Sequence, residues 1–144
     1  MKAQVEKFFQ DYETRANKGL AEKPEINAEE ASSAYTETFI EANPKGVMTF
    51  TSEQFREGAE EGFARQREVG ARSMKIGSLD ITPLDEFHAM AKIHWVSTYV
   101  NKQDKALEID FDEIYFVQLL DDTVKVFAYI AGDQEGLLKE NGIL

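Results

Sequence analysis

The stretch from His88 to Ile130 constrains most strongly what this chain can fold into. It reads as three consecutive antiparallel strands, HAMAKIHWVSTYV, ALEIDFDEIYFVQL and TVKVFAYIA, joined by the short polar turns NKQDK and DD. β-Branched and aromatic residues are dense, the connections have hairpin length, and no proline interrupts the run, as a continuous meander requires. A curved sheet is expected here, covered by helices from the earlier part of the chain.

The 144-residue sequence offers enough apolar material for such a cover: 42% of its residues are hydrophobic, and one domain over 1–144 is expected. Cysteine is absent, which excludes disulfides and thiolate chemistry. Sixteen basic residues against 27 acidic ones give a net charge of -11, and no cluster of Lys and Arg interrupts the negative field. Phosphate backbones and anionic membrane surfaces are poor partners for such a chain, so neither nucleic acid nor membrane binding is expected. Apolar runs are only a few residues long, and the opening MKAQVEKFFQDYE is an amphipathic helix pattern without a signal-peptide core. A cytoplasmic location is expected.

Val5, Phe8, Phe9, Tyr12 and Ala16 share one helical face, and Asn17, Lys18 and Gly19 supply a stop, predicting a helix from about Lys2 to Asn17. Asn27 with Glu30 makes a capping-box spacing for a second helix through about Tyr35. In FIEANPKGVMTF, Asn43, Pro44, Lys45 and Gly46 read as a turn within a small hairpin. Thr51 and Gln54 repeat the capping spacing and open a third helix that ends near Gly70. A first long strand, MKIGSLDITPLD, follows with Gly77 as a bulge position, and after the meander Leu137 and Leu138 suggest a helical turn folding back. Helices and strands are segregated rather than alternating, which predicts an α+β domain with helices on one face of an antiparallel sheet.

Two-residue turns at Gln103-Asp104 and Asp121-Asp122 would pair the meander so that one face carries Ile93, Trp95, Tyr99, Ile114, Phe116, Phe127 and Tyr129. The opposite face would carry Met90, Lys92, His94, Val96, Phe111, Glu113, Tyr115, Val117, Val126, Ala128 and Ile130. Both faces are apolar, and helices cover only one. A second copy of the chain is the simplest cover for the other, so a homodimer with Trp95, Phe116, Phe127 and Tyr129 in its contact is expected.

Element order, the helix-one pattern DYETRANKG, the stretch YTETFIEANPKG and the closing VKVFAYI resemble the NTF2-like superfamily, particularly the small SnoaL-like and ketosteroid-isomerase-like proteins. The resemblance implies a cystatin-like cone, three N-terminal helices packed on a curved antiparallel sheet, with a pocket at the wide end and frequent homodimers. Ketosteroid isomerases place an oxyanion-hole tyrosine seven residues before a glycine, as Tyr12 precedes Gly19 here. They place a tyrosine eight residues before an aspartate base followed by Pro-x-Gly. Tyr35 stands eight residues before Asn43, which Pro44, Lys45 and Gly46 follow. Their protonated acid on the penultimate strand corresponds to Glu113, which the expected pairing puts opposite His94.

An amide at Asn43 cannot exchange a proton near neutral pH, so steroid-isomerase chemistry as such is not implied. Two functional readings remain. One is a binding module whose cone holds a small, largely apolar molecule between Tyr12, Tyr35, Phe39, Asn43, His94, Glu113 and Ile130. The other is an isomerase, cyclase or dehydratase without metal or organic cofactor, in which Glu113 and Tyr12 stabilise an oxyanion and His94 moves the proton. Each residue also has a plainer reading: His94 and Glu113 as a cross-strand pair worth roughly 0.2–1 kcal/mol, the tyrosines as core, Asn43 as a turn former. His88 and His94 would stand roughly 20 Å apart along a strand, too far to share a metal, and Asp110, Asp112 and Glu113 lack calcium-loop spacing. No Ser or Thr sits in an elbow sequence for nucleophilic catalysis.

Overall fold

The computed structural model describes all 144 residues, Met1–Leu144. Helix α1 (Lys2–Leu20) is followed by α2 (Ala28–Ser33), the hairpin β1 (Tyr35–Asn43) and β2 (Gly46–Thr51), and helix α3 (Ser52–Glu68). Then come β3 (Ala71–Pro83), β4 (His88–Val100), β5 (Ala106–Leu120), β6 (Thr123–Ala131) and a short α4 (Gln134–Glu140). Local signals set several of these boundaries. The Asn27 side chain accepts from the Glu30 amide, and Thr51 and Gln54 form a reciprocal capping box. The first helix runs one turn beyond the expected stop. Asn17 does not end it, because its side chain is spent on the backbone N–H and C=O of Met74, at 2.8 and 2.7 Å. With Glu13, which accepts from the Ile76 amide at 2.6 Å, it ties α1 to β3. These side chains occupy backbone groups on an edge strand that would otherwise be open.

All six strands form one sheet in the order β2-β1-β6-β5-β4-β3. Every pairing is antiparallel except that of β1 with β6, which is parallel. The register skips between Ile76 and Ser78, so Gly77 is the bulge position the sequence indicates. Asp121 and Asp122 form the expected two-residue turn, both with positive φ.

Two departures from the expected pairing redistribute the faces. The β4–β5 connection is a five-residue loop, Asn101–Lys105, and Val100 pairs with Ala106. The Asn101 side chain closes it by accepting from the amides of Gln103 and Lys105 at 2.9 and 3.0 Å. Glu113 therefore pairs with Ile93, and His94 pairs with Asp112. In β6 the register slips between Phe116 and Val117, leaving Phe127 as an extra residue. Beyond that point Tyr129 pairs with Tyr115, and Ile130 pairs with Ile114 on the other side of the sheet. A one-residue slip exchanges faces, so each departure moves a set of side chains through the sheet.

The concave face consequently carries Ile93, Trp95, Tyr115, Val117 and Val126, all fully or nearly fully buried, against Val5 and Phe9 of α1. Trp95 is at the centre of this core rather than in an outer contact, with its indole N–H donating to the Tyr115 hydroxyl at 3.3 Å. No helix is long and apolar enough to cross a membrane.

Candidate functional site

A cavity of about 340 Å³ lies between the concave sheet, α1 and α3, with the start of α4 at its edge. Its lining is mostly apolar, including Ala16, Phe55, Phe63, Met74 and Phe111, with Tyr12, Tyr35, Glu113, Tyr115 and Tyr129 supplying polar atoms. The volume falls at the lower end of the roughly 300–1,000 Å³ of small-molecule sites.

Glu113 projects into it from the middle of β5. Only 9% of the residue is exposed, and the Gln134 amide donates to it at 3.4 Å. Burial pushes its carboxyl up to about 7; the neighbouring Tyr115 and Gln134 partly counter this, and the charge of Glu41 adds to it. Around neutral pH its protonated form is therefore within reach, and in that form the group can donate as well as accept.

The tyrosines form a connected set around it. The hydroxyls of Tyr12 and Tyr35 are 3.0 Å apart, and the rings of Tyr12 and Tyr115 meet edge to face with centroids at 6.0 Å. Burial raises the pKa of both Tyr12 and Tyr115, the negative charge of Glu113 adding to the effect, so both remain neutral donors. Tyr129 also faces inward, and its hydroxyl donates to Glu41. Asn43 in turn donates to Glu41 at 2.7 Å and accepts from the Lys45 amide at 2.8 Å.

Of the residues the sequence singled out, Tyr12, Tyr35 and Glu113 come together in the cavity wall. The other four do not line it. Phe39 lies behind the wall, stacked on Tyr35 with centroids at 4.5 Å. Asn43 holds the β1–β2 turn, and its amide is satisfied by Glu41 and Lys45. Ile130 is 43% exposed on the convex face, where the β6 bulge sends it. His94 is likewise convex, because the five-residue loop shifts its partner from Glu113 to Asp112. Its Nδ1 lies 2.7 Å from Asp112 and its Nε2 3.3 Å from Asp110, and these hydrogen bonds raise its pKa. No group of three or more His, Cys, Asp or Glu side chains is arranged to hold a metal ion.

Sequence reasoning missed Tyr129 and Gln134, and passed over Tyr115 and Arg15 as site residues. Tyr115 shares the parity of Glu113 along β5, and Arg15 follows Tyr12 at i+3 on helix α1, so both were accessible from periodicity alone.

Over residues 3–134 the sequence matches the family described as NTF2-like protein (DUF6841). The chain belongs to that NTF2-like family. Its fold agrees with solved structures: Aln2 from a Streptomyces species superposes with a TM-score of 0.70 at 11% identity, covering 96% of this chain and 94% of that one. An NTF2-like protein with a cystatin-like fold from Novosphingobium aromaticivorans gives 0.69 at 13% identity, over 99% and 88%. A ketosteroid isomerase-like protein from Erwinia carotovora atroseptica gives 0.60 at 10% identity, over 91% of each. No curated protein matches in sequence. The cystatin-like α+β architecture is as the resemblance implied, with α4 added to the three earlier helices.

Proposed function

We propose that this NTF2-like protein binds a small, largely apolar molecule in its cone, with an oxygen of that molecule held by Tyr12 and Glu113. The observation that carries this reading is the Glu113 carboxyl, only 9% exposed and without an ion pair, in the wall of a mostly apolar cavity, where burial raises its pKa. A buried acid without an ion pair is costly to keep, and such groups cluster where a ligand uses them. Trp95, the single tryptophan, has its ring centroid 6.1 Å from that of Tyr12 and reports on occupancy. Titration with naphthol, an aromatic hydroxyl with the shape of an enol, is expected to change Trp95 emission saturably. Tyr12→Phe should weaken binding about tenfold by removing one hydrogen-bonding group. A naphthol response that is absent, or indifferent to Tyr12→Phe, sinks the reading.

The same buried carboxyl favours a second reading, a cofactor-independent isomerase, cyclase or dehydratase. An acid near the operating pH can both give and take a proton, and Glu113 would move it while Tyr12 holds the oxygen. His94 has no part in this version, being across the sheet. The ketosteroid isomerase-like neighbour shares the fold that would host such chemistry. Exchange of deuterium from solvent into an enolisable cyclic ketone, fast with the native chain and lost in Glu113→Gln, would establish it; equal exchange in both leaves a binder alone.

The partner proposed for the convex face is a second copy. Ile114 and Ile130 pair across β5 and β6, Phe116 and Phe127 lie side by side with centroids at 6.2 Å, and Ile40 is 41% exposed beyond them. Apolar side chains grouped this way suit a self-complementary contact. Sedimentation is expected to give twice the 16.3 kDa chain mass. Ile130→Glu should weaken the dimer by about a hundredfold by burying an unpaired charge. A native chain that sediments as a monomer refutes the contact.

A further inference from the structure

The charged groups that line the cavity are Glu113 and Arg15. Arg15 sits one helical turn from Tyr12, with its guanidinium carbon 5.5 Å above the Tyr12 ring. In a chain with 27 acidic residues it has no carboxylate within 4 Å and no hydrogen-bond acceptor. The other arginines are engaged: Arg56 with Glu53, Arg65 with Glu61, Arg67 with the Gly19 carbonyl, and Arg72 with the carbonyls of Arg67 and Ala71. Arg15 also borders an outer hollow with Asp11, Lys18 and Glu25, so it stands where the cavity meets the α1 surface.

A guanidinium held over an aromatic ring by cation–π attraction keeps its N–H donors free for a ligand, and its planar fork recognises planar oxyanions in bidentate fashion. The apolar lining cannot solvate an anion, and the acidic rim outside repels one, so only an anion that reaches the inner side of Arg15 is held. Resting on the reading that the cavity binds an apolar molecule, we propose that this molecule is an organic acid: its ring body fills the cavity, its carboxylate is gripped by Arg15, and a second oxygen lies at Tyr12 and Glu113. The ligand class is thereby narrowed from small apolar molecules bearing an oxygen to apolar carboxylic acids.

Two fluorescent probes that differ by one anionic group test this. Anilinonaphthalenesulfonate carries a sulfonate in place of the carboxylate; phenylnaphthylamine has the same rings without it. Affinities are measured for the native chain, Arg15→Gln, Arg15→Lys and the surface control Arg56→Gln, each checked for folding by circular dichroism. Arg15→Gln should weaken the anionic probe about tenfold and leave the neutral probe unchanged, with Arg15→Lys intermediate and Arg56→Gln native-like. An anionic probe indifferent to Arg15→Gln, or both probes weakened alike, overturns the assignment while leaving the cavity reading intact. If the native chain binds neither probe, the cavity reading fails and this proposal with it.

Discussion

Replacing Glu113 by glutamine is expected to stabilise the protein at pH 8 by about 3 kcal/mol, raising its melting temperature by roughly 10 °C, and to leave stability nearly unchanged at pH 4. The sign follows from proton counting. In the unfolded chain the carboxyl titrates near its ordinary 4.5, and in the folded chain burial holds it at about 7. Between these values the folded state binds more protons than the unfolded one, so stability falls as pH rises. Below 4.5 both states are protonated, and above about 7 both are ionised and the full penalty is present. Each tenfold difference in proton affinity is about 1.4 kcal/mol, which gives the figure above. Glutamine has the shape of the protonated acid and cannot ionise, so it removes the penalty without opening space. The check is a pair of melting curves across pH 4–8, where the difference between variant and native chain should open through this window. Parallel curves would mean that the Glu113 carboxyl is solvated, and the candidate site would lose its acid.

The same substitution separates stability from function. A carboxyl that costs stability at neutral pH is retained where it does something a neutral amide cannot. Glu113→Gln is therefore expected to be the more stable protein, to keep donating a hydrogen bond to an acceptor oxygen through its amide, and to lose any step that needs a proton given or taken at residue 113.

Local chemistry was legible from sequence, and long-range parity was not. Asn27 with Glu30, Thr51 with Gln54, the Asp121-Asp122 turn and the Gly77 bulge each act over a few residues, and each is where the pattern placed it. The pocket face depended on two details invisible to periodicity. The segment NKQDK is compatible with a two-residue turn at Gln103-Asp104, but the Asn101 side chain closes a wider loop by capping two amides. That single change carries His94 away from Glu113. In TVKVFAYIA every residue around Phe127 suits a strand and both faces are apolar, so an inserted residue leaves no mark on the pattern. It turns Tyr129 inward and Ile130 outward. Glu113, Tyr12 and Tyr35 were singled out by spacing within the NTF2-like resemblance, which does not depend on either slip, and all three line the cavity.

Gly70→Ala is expected to destabilise the fold by about 3–5 kcal/mol, among the largest effects of any single methyl group in this chain. Gly70 joins α3 to β3 with φ +111, a backbone conformation that L side chains rarely adopt. A Cβ there would stand 2.2 Å from the Val100 carbonyl oxygen. The strand cannot retreat, because the Val100 amide donates to the Gly70 carbonyl at 2.9 Å and holds the two backbones together. Strain and clash therefore add, and relief requires α3 to tilt away from the sheet. The helix brings Phe55 and Phe63 to the cavity, and Ala71, also in its wall, follows Gly70 directly. Loss of stability should thus come with loss of probe binding even under conditions where the variant remains folded. Gly62→Ala provides the contrast: this glycine lies within α3 with open space around its Cβ position, and alanine there should stabilise by about 0.5–1 kcal/mol. Urea unfolding of the two variants beside the native chain measures both effects. A Gly70→Ala midpoint equal to the native one would show that the α3–β3 junction is free to move, and that the cavity is not held to a fixed shape by this contact.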